Sequence, residues 1–458
     1  MSRAFWGKIV LVSLMTFAIL FPLEMIRGVI SERVTHRQEA IANIAGSYAG
    51  EQSITGPVLI IPYVDVEQVK EVDPLTSKEI VRSSSTRGTT YLFPKELQID
   101  GKLEPQTRYR GLHEVRVYEW QGNINARFDD TLPAKQGRTY GAPLLGVEIK
   151  DVRGIVGSPR LSLDKQPLEV KNGSGLVGSD GIHAVLGLVP TDNRWSGQIS
   201  LQLNLAGTES FSLVPIGDNN KFTMNSHWPH PQFAGAFLPR SRNVTAKGFD
   251  ASWEISALAA NTQRQYLAGN NTPTPGVIDT NLHHGNVDVL SVNLVEPINI
   301  YSQTDRASKY GLLFVLLTFV GFFMFELIKQ LAIHPVQYML VGLGLTIFFL
   351  LLLSLSEHIP FLYAYLVASA ACIGLLAFYL SHVLRSKRRG VGFGAMLTAL
   401  YAALYGLLAS EDNALVLGSL LLFAILAAIM VVTRKIDWYQ VSSGRGGLPT
   451  KPAPGLGS

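Results

Sequence analysis

One apolar segment, Ile9 to Leu23, stands alone near the start of the chain, and five more crowd the region after Lys309. Between them lies a polar, strand-like insertion. That layout leaves few architectures open. A helix needs about 20 predominantly apolar residues to cross a hydrocarbon core of about 30 Å. Tyr310 to Ile328, Tyr338 to Ser356, Phe361 to Leu384, Val391 to Ala409 and Ala414 to Val432 meet that requirement. Charged or helix-breaking clusters separate them, at Lys329 to Pro335, Glu357 to Pro360, Arg385 to Gly390 and Ser410 to Asn413. The chain therefore reads as six transmembrane helices, one N-terminal and five C-terminal. The insertion, about 275 residues over 31–305, is long enough to bury a core of its own.

The first segment follows Arg3 and Lys8, as a cleaved secretory signal would, but no small-x-small cleavage site comes after it. Helical spacing continues instead through Glu24 and Arg27 into Ser31 to Thr35, and Val34, Ile41, Ile44 and Tyr48 recur on one face. The reading is an uncleaved signal anchor whose helix leaves the membrane and caps the inserted domain.

Orientation follows from the short loops, because long domains cross largely regardless of charge. Arg385, Lys387, Arg388 and Arg389 crowd one loop, whereas its neighbours carry Glu357 and the pair Glu411 and Asp412. The basic loop belongs in the cytoplasm, which puts both termini there and the insertion outside. Arg3, Lys8, Arg434 and Lys435 agree with this. Arg306 and Lys309 oppose it, but they border a long translocated domain. The formal net charge of +4 is accounted for by inward-facing loops, and no nucleic-acid partner is expected. Cys372 is the only cysteine and lies in an apolar segment, so the outer domain has no disulfide.

The insertion reads as sheet. Val115 and Val117, then Ile124, Ala126 and Phe128, alternate on either side of a turn candidate at Glu119 to Asn123. Leu201, Leu203 and Leu205, then Phe211 and Leu213, give a second hairpin about Gly207 to Glu209. Gly56-Pro57-Val58-Leu59-Ile60-Ile61-Pro62 is a continuous apolar run that suits a strand buried on both faces. Phe93-Pro94, Asp100-Gly101, Val214-Pro215 and Ile216-Gly217 are read as breaks. Glu67 to Thr89 suits a long hairpin or exposed loop, helix is confined to a stretch near Ile255 to Leu267, and the Gly- and Pro-rich tail from Val441 is expected to be disordered. The fold class is α+β, with a mainly antiparallel sandwich or extended stacked sheet outside the membrane.

Motifs for chemistry nearly form and then fail. His227 and His230, with His283 and His284, have the residue type for a metal, but prolines around His230 forbid the helix that presents such pairs. The cluster is read instead as a rigid turn whose Trp228 plugs the core while His230 bonds to backbone. His113-Glu114 begins a zinc-protease pattern, yet Val117 stands where the second His belongs. Ser162 and Lys165 match S-x-x-K without the K-T-G that accompanies it. No G-x-S-x-G and no phosphate-binding loop is present. Among the helices, Glu326 with Lys329, Glu24 with Arg27, Glu357, His358 and His382 are read as interfacial anchors, since none reaches mid-bilayer. Gly342, Gly344, Gly390, Gly392 and Gly394 permit close helix contact.

Several phrases recur in one order: Gly56-Pro57 with its apolar run, Trp228-Pro229-His230-Pro231, Phe237-Leu238-Pro239, Thr304-Asp305-Arg306 through Tyr310, His334-Pro335 through Tyr338, Leu355-Ser356-Glu357-His358, and Thr433 through Asp437-Trp438-Tyr439. In these the chain closely resembles the CreD family of bacterial inner-membrane proteins. His227 is not demanded by that pattern, and the tail beyond Gln440 has no counterpart in it. The resemblance implies a Gram-negative inner-membrane protein whose expression depends on a two-component system. It further implies links to envelope integrity, colicin tolerance and beta-lactam response. It supplies no catalytic residue.

The expected organisation is a signal anchor over 1–30, a periplasmic β-rich domain over 31–305, a five-helix membrane domain over 306–438 and a disordered cytoplasmic tail over 439–458. The expected role is non-enzymatic: envelope maintenance through binding of a wall, lipid or protein component by the β domain, without metal or other cofactor and with the lipid bilayer as the constant partner. The alternatives are a membrane-embedded transporter or lipid-handling enzyme using Glu326, Lys329, Glu357 or His358, and a sensor acting through a partner.

Overall fold

A computed structural model describes residues 3–72, 79–111, 113–176, 178–187, 193–270, 288–294, 300–329, 334–383, 386–409 and 414–434. It divides into two compact units, Met1–His36 with Ile298–Ser458, and Arg37–Pro297. Asp437, Trp438 and the tail from Val441 lie outside the described residues, as do His283 and His284.

The chain opens with α1 (Arg3–Ser47), β1 (Gln52–Val72), β2 (Glu79–Leu92), β3 (Glu96–Arg110) and β4 (His113–Thr131). Short strands follow: β5 (Arg138–Tyr140), β6 (Leu144–Ile149), β7 (Arg160–Leu163), β8 (Gln166–Leu168), β9 (Lys171–Asn172) and β10 (Gly181–Val185). Then come β11 (Arg194–Thr208), β12 (Ser210–Leu213), β13 (Asn219–Ser226), β14 (Pro231–Gly235), β15 (Ser241–Thr245) and β16 (Gly248–Ser256). After α2 (Thr262–Asn270) and β17 (Leu290–Leu294), the chain continues as α3 (Ile300–Lys329), α4 (Pro335–Ser356), α5 (Phe361–Val383), α6 (Lys387–Ala409) and α7 (Ala414–Thr433).

The strands form two open sheets. One runs β14-β17-β12-β1-β6-β10-β9, with β2 and β5 also paired to β1, and the other runs β15-β16-β13-β3-β4-β11-β7-β8. Pairing is antiparallel except between β1 and β12 and between β3 and β13. Buried side chains of both sheets join one cluster, with Val58, Ile61, Phe211 and Val292 from the first and Ile99, Trp120, Phe128 and Trp253 from the second. The apolar run from Gly56 to Ile61 is buried at every position, as a strand covered on both faces requires. Beyond it, β1 and β2 pair as far as Val72 and Glu79, so the described residues of the Glu67 to Thr89 region form the two arms of a long hairpin.

The expected turn at Glu119 to Asn123, the break at Asp100-Gly101 and the hairpin about Gly207 to Glu209 do not form as read. β4 runs unbroken through Glu119 to Asn123. Val115 and Val117 lie on the outer face against Ile44 of α1, whereas Tyr118, Trp120, Ile124, Ala126 and Phe128 point into the core. Two apolar sets of opposite parity occupy two faces of one strand. Asp100-Gly101 lies inside β3, where the absent Cβ of Gly101 leaves room for the Trp120 indole. Around Gly207 to Glu209 the chain does not fold back as a hairpin. β11 belongs to the eight-stranded sheet and β12 to the other, and Glu209, at φ 60°, redirects the backbone between them.

α1 is continuous for 45 residues, so the helix extends past the apolar segment as the spacing predicts. Its last turns bring Ile41, Ile44 and Tyr48 onto Val115 and Val117. In the helical unit, Ile19, Leu23 and Ile26 of α1 share a core with Phe319 and Phe322 of α3, Val341 and Phe348 of α4, and Leu376 of α5. Gly342 admits Ile19 and Phe319, Gly344 admits Leu376, and Gly390 and Gly394 admit Ser381 and Ala377, whereas Gly392 faces open space. His334 and Gln337 close a reciprocal cap on α4, with Pro335 in its first turn. Among the described residues, five helices are long and apolar enough to cross a membrane: Ser13–Ser47, Gln303–Phe323, Pro335–Ser356, Phe361–Val383 and Lys387–Ala409. In α7 the apolar stretch among the described residues, Val416–Ala427, falls short of that length.

Candidate binding face and the buried polar groups

Strand alternation that sends Leu97, Ile99, Ile124, Leu201, Leu203, Phe222 and Trp253 into the core sends their neighbours to the outer face of the eight-stranded sheet. The register aligns those neighbours in rows across β16, β13, β3, β4 and β11. One row is Glu254, Lys221, Gln98, Asn125, Ser200; the next is Ser252, Thr223, Asp100, Asn123, Gln202; the third is Asp250, Asn225, Lys102, Gln121, Asn204. Seven of these fifteen positions are Asn or Gln, and none is apolar. Three adjoining hollows of about 640, 440 and 320 Å³ lie along this face.

The hydrogen bonds on this face are uneven. Thr223 Oγ1 donates to Asp100 Oδ1 at 2.5 Å and Gln98 Nε2 donates to Asp100 Oδ2 at 2.8 Å. Among the described residues the side chains of Gln121, Asn123, Asn125, Gln202, Asn204 and Asn225 make no hydrogen bond to protein, so their amide donors and acceptors face outward. Asn is depleted in strands and adds little to a sheet that Thr or Tyr would not add better. A surface that needed only to be wet would not favour it. Sequence reasoning missed this face; its signal was the alternation Gln121-x-Asn123-x-Asn125 and Gln202-x-Asn204 on strands recognised only by their apolar residues.

The sequence-marked residues do not converge. Gly56 and Pro57 sit near the start of β1, at the irregularity in its pairing with β6, where Gly56 at φ 119° lies close to the Gly146 carbonyl. Trp228 is half-buried against the β core, its indole Nε1 donates to the His230 carbonyl at 2.9 Å, and the Arg116 guanidinium lies 4.8 Å from its ring. The turn is as expected, but the indole supplies its hydrogen bond while His230 gives its backbone oxygen. No group of three or more metal-binding side chains gathers among the described residues. His113 and Glu114 open β4, and Ser162 lies on β7 while Lys165 is in the following turn at φ 70°, so neither motif has the helical face it needs.

In the helical unit Asp305 pairs with Lys309 one turn on, at 2.6 Å. Arg27 bonds Glu24 and reaches the Ser308 carbonyl at 3.2 Å. The Glu357 side chain is only 8 % exposed, with Arg33 at 3.5 Å, whereas His358 is exposed and faces the Ser354 carbonyl. Glu326 is only 4 % exposed and accepts a hydrogen bond from the Tyr338 hydroxyl at 2.8 Å. This partner comes from the next helix, and the Lys329 side chain lies outside what is described. Cys372 is buried on α5, where it accepts from Tyr401 and donates to the Gly344 carbonyl. The residues read as interfacial anchors thus include two carboxylates, Glu326 and Glu357, that the helices enclose.

Comparison with known proteins adds the lineage. A family described as inner membrane protein CreD matches residues 4–439. The chain belongs to that family. The inner membrane protein CreD of Escherichia coli (strain K12) is 35% identical over 431 residues, which cover 93% of this chain and 91% of that one. Membership places the protein in the inner membrane as a multi-pass protein, in keeping with the five long apolar helices among its described residues. Among solved structures, an M1 zinc metallopeptidase from Deinococcus radiodurans aligns over 44% of this chain and 42% of its own at 8% identity, with a TM-score of 0.21. At that score the alignment bears on neither fold nor function.

Proposed function

We propose that this CreD-family protein maintains the cell envelope by binding rather than by catalysis, with its sandwich-like β domain in the periplasm as the recognising part. The observation that carries the reading is the insertion of a two-sheet unit, Arg37–Pro297, into a chain whose remainder is mostly apolar helix. Six crossings with both termini cytoplasmic follow from the basic loop Arg385 to Arg389 and from α7 serving as the last span. Expression under a two-component system, colicin tolerance and the beta-lactam response come with the family likeness. Loss of the gene should sensitise cells to detergent and beta-lactam, and the full-length chain should restore resistance. A deletion strain that matched its parent under both stresses would remove the envelope role. Topology is tested on a Cys372→Ala background, where Ser83→Cys should react with an impermeant maleimide in cells whose outer membrane alone is opened. Ser386→Cys should react only after the inner membrane is opened, and the reverse result would invert the orientation.

A second reading, a transporter or lipid-handling enzyme, is favoured by the enclosure of Glu326 and Glu357 among the helices, because such carboxylates are costly to keep in an apolar surrounding. A sensor role would require an output partner.

A further inference from the structure

We infer that the amide-rich outer face of the eight-stranded sheet holds an uncharged amino-sugar glycan, specifically the glycan strand of the cell wall. The inference rests on the periplasmic binding reading above and names its ligand.

Four properties of the face select that chemistry. First, every Asn and Gln amide presents a donor and an acceptor side by side, which matches a ligand whose hydroxyl and acetamido groups each donate and accept. Gln121, Asn123, Gln202 and Asn204 offer these groups in two adjacent rows without protein partners. Secondly, the charges nearly cancel: Lys221 and Lys102 stand against Glu254, Asp100 and Asp250. A polyanion such as nucleic acid, or an anionic lipid headgroup, would call for an excess of Lys and Arg. Thirdly, the rows contain no apolar side chain, whereas a protein interface buries an apolar or aromatic centre and an acyl chain needs an apolar groove. Fourthly, five strands at a spacing of about 4.8 Å give rows about 19 Å long, and the three hollows adjoin along the face. That length suits a run of linked sugars better than one small molecule. In the periplasm the wall is the polymer of this kind within reach of an inner-membrane protein.

The test uses the full-length protein in detergent and wall sacculi stripped of bound protein. The variant carries Gln121→Thr, Asn123→Thr and Gln202→Thr; Thr keeps the face polar and favours strand, so the β domain should melt no earlier than wild type. Wild type should co-sediment with sacculi saturably, uncharged N-acetylglucosamine oligomers should displace it, and the triple variant should bind at least tenfold more weakly. Equal binding by wild type and variant would overturn the inference. So would binding that salt abolishes and the oligomers do not touch, since that would locate it on the charged stem peptides. If wild type ignores sacculi while a cross-linker placed on this face traps an envelope protein, the glycan assignment falls and the binding reading survives. If sacculi are bound but gene deletion leaves the envelope unaffected, the glycan site stands and the proposed envelope role falls.

Discussion

Asp65 and Arg138 form a two-pronged ion pair at the root of the β1–β2 hairpin, with Arg138 Nε 2.7 Å from Oδ1 and a terminal guanidinium nitrogen 2.9 Å from Oδ2. Lys135 adds a contact to Oδ2 at 3.1 Å, and the Arg138 guanidinium lies 3.8 Å from the centre of the Tyr63 ring. Asp65 pairs in register with Thr86 of β2 and with Arg138 of β5, so the clip joins three strands where the hairpin leaves the sheet.

The hydrogen bond from Arg138 holds the Asp65 carboxyl well below the usual carboxylate range. A depressed folded-state pKa means that the stabilisation is complete above the unfolded value of about 3.9 and is lost as pH falls from there toward the folded value. Asp65→Asn should therefore lower the melting temperature of the β domain at pH 7, and the gap from wild type should narrow steadily below about pH 4. Melting curves at stepped pH measure it; a gap of the same size at pH 7 and pH 3 would mean that the ionised pair contributes nothing.

Gly101 and Gly122 are cross-strand partners, and the Trp120 indole lies over both. Trp120 in turn stacks on Phe211 of the other sheet at 4.7 Å between ring centres. A Cβ at Gly122 would be driven into the six-membered ring of Trp120, which is fully buried. Gly122→Ala should thus cost about 1–3 kcal/mol despite the better strand propensity of Ala. Chemical denaturation monitored by tryptophan fluorescence measures this, and a neutral result would show that the indole can repack.

The fold was legible in the sequence wherever one physical signal dominated. Uniform apolar length revealed the five long spans found among the described residues, although it also counted Ala414 to Val432, where the described apolar stretch is shorter. The run from Gly56 revealed a strand covered on both faces as far as Ile61, with Pro62 at its end exposed. Reading failed where two signals shared one element. The odd-numbered Val115 and Val117 serve α1 while the even-numbered Trp120 to Phe128 serve the core, and the change of parity imitates a turn. At Asp100-Gly101 a residue pair that usually bends the chain instead makes room for an indole from the next strand, information that only tertiary contact supplies. The amide rows were hidden for a related reason. Period-two reading counts which positions are polar, and only the register reveals that Asn123 of one strand stands beside Gln202 of another.

Asp151 ties the end of α1 to the sheets. One carboxylate oxygen accepts the Gly50 N–H at 2.9 Å, and Asp151 holds Arg153, whose guanidinium donates to the Gly46 carbonyl at 2.7 Å near the end of the helix. A cation there also complements the negative end of the helix dipole. Arg153 holds the Asp151 carboxyl below its ordinary range, with burial opposing the shift. Asp151→Ala removes an ionised acceptor and releases Arg153, an expected loss of about 1–3 kcal/mol. Hydrogen exchange should localise it to residues 44–50, and unchanged protection there would show that the helix end is held by Ile44 and Tyr48 packing alone.

The enclosed Glu326 separates the two functional readings. Its Oε2 accepts from Tyr338 at 2.8 Å, and Phe322 packs on the same tyrosine ring with 4.7 Å between centres. Under the binding reading this carboxylate is structural, so Glu326→Gln, which keeps an acceptor of the same shape, should fold normally and restore envelope resistance in a deletion strain. Tyr338→Phe removes the hydroxyl and should lower thermal stability in detergent by about 0.5–2 kcal/mol, the range for polar contacts between membrane helices. A proton-handling site would behave otherwise: Glu326→Gln would fold and insert at wild-type levels yet fail to complement, because an amide cannot exchange the proton that a carboxylate carries. Complementation assays paired with membrane-expression and melting measurements distinguish these outcomes, and a well-folded but inactive Glu326→Gln would move the function from the sheet into the helices.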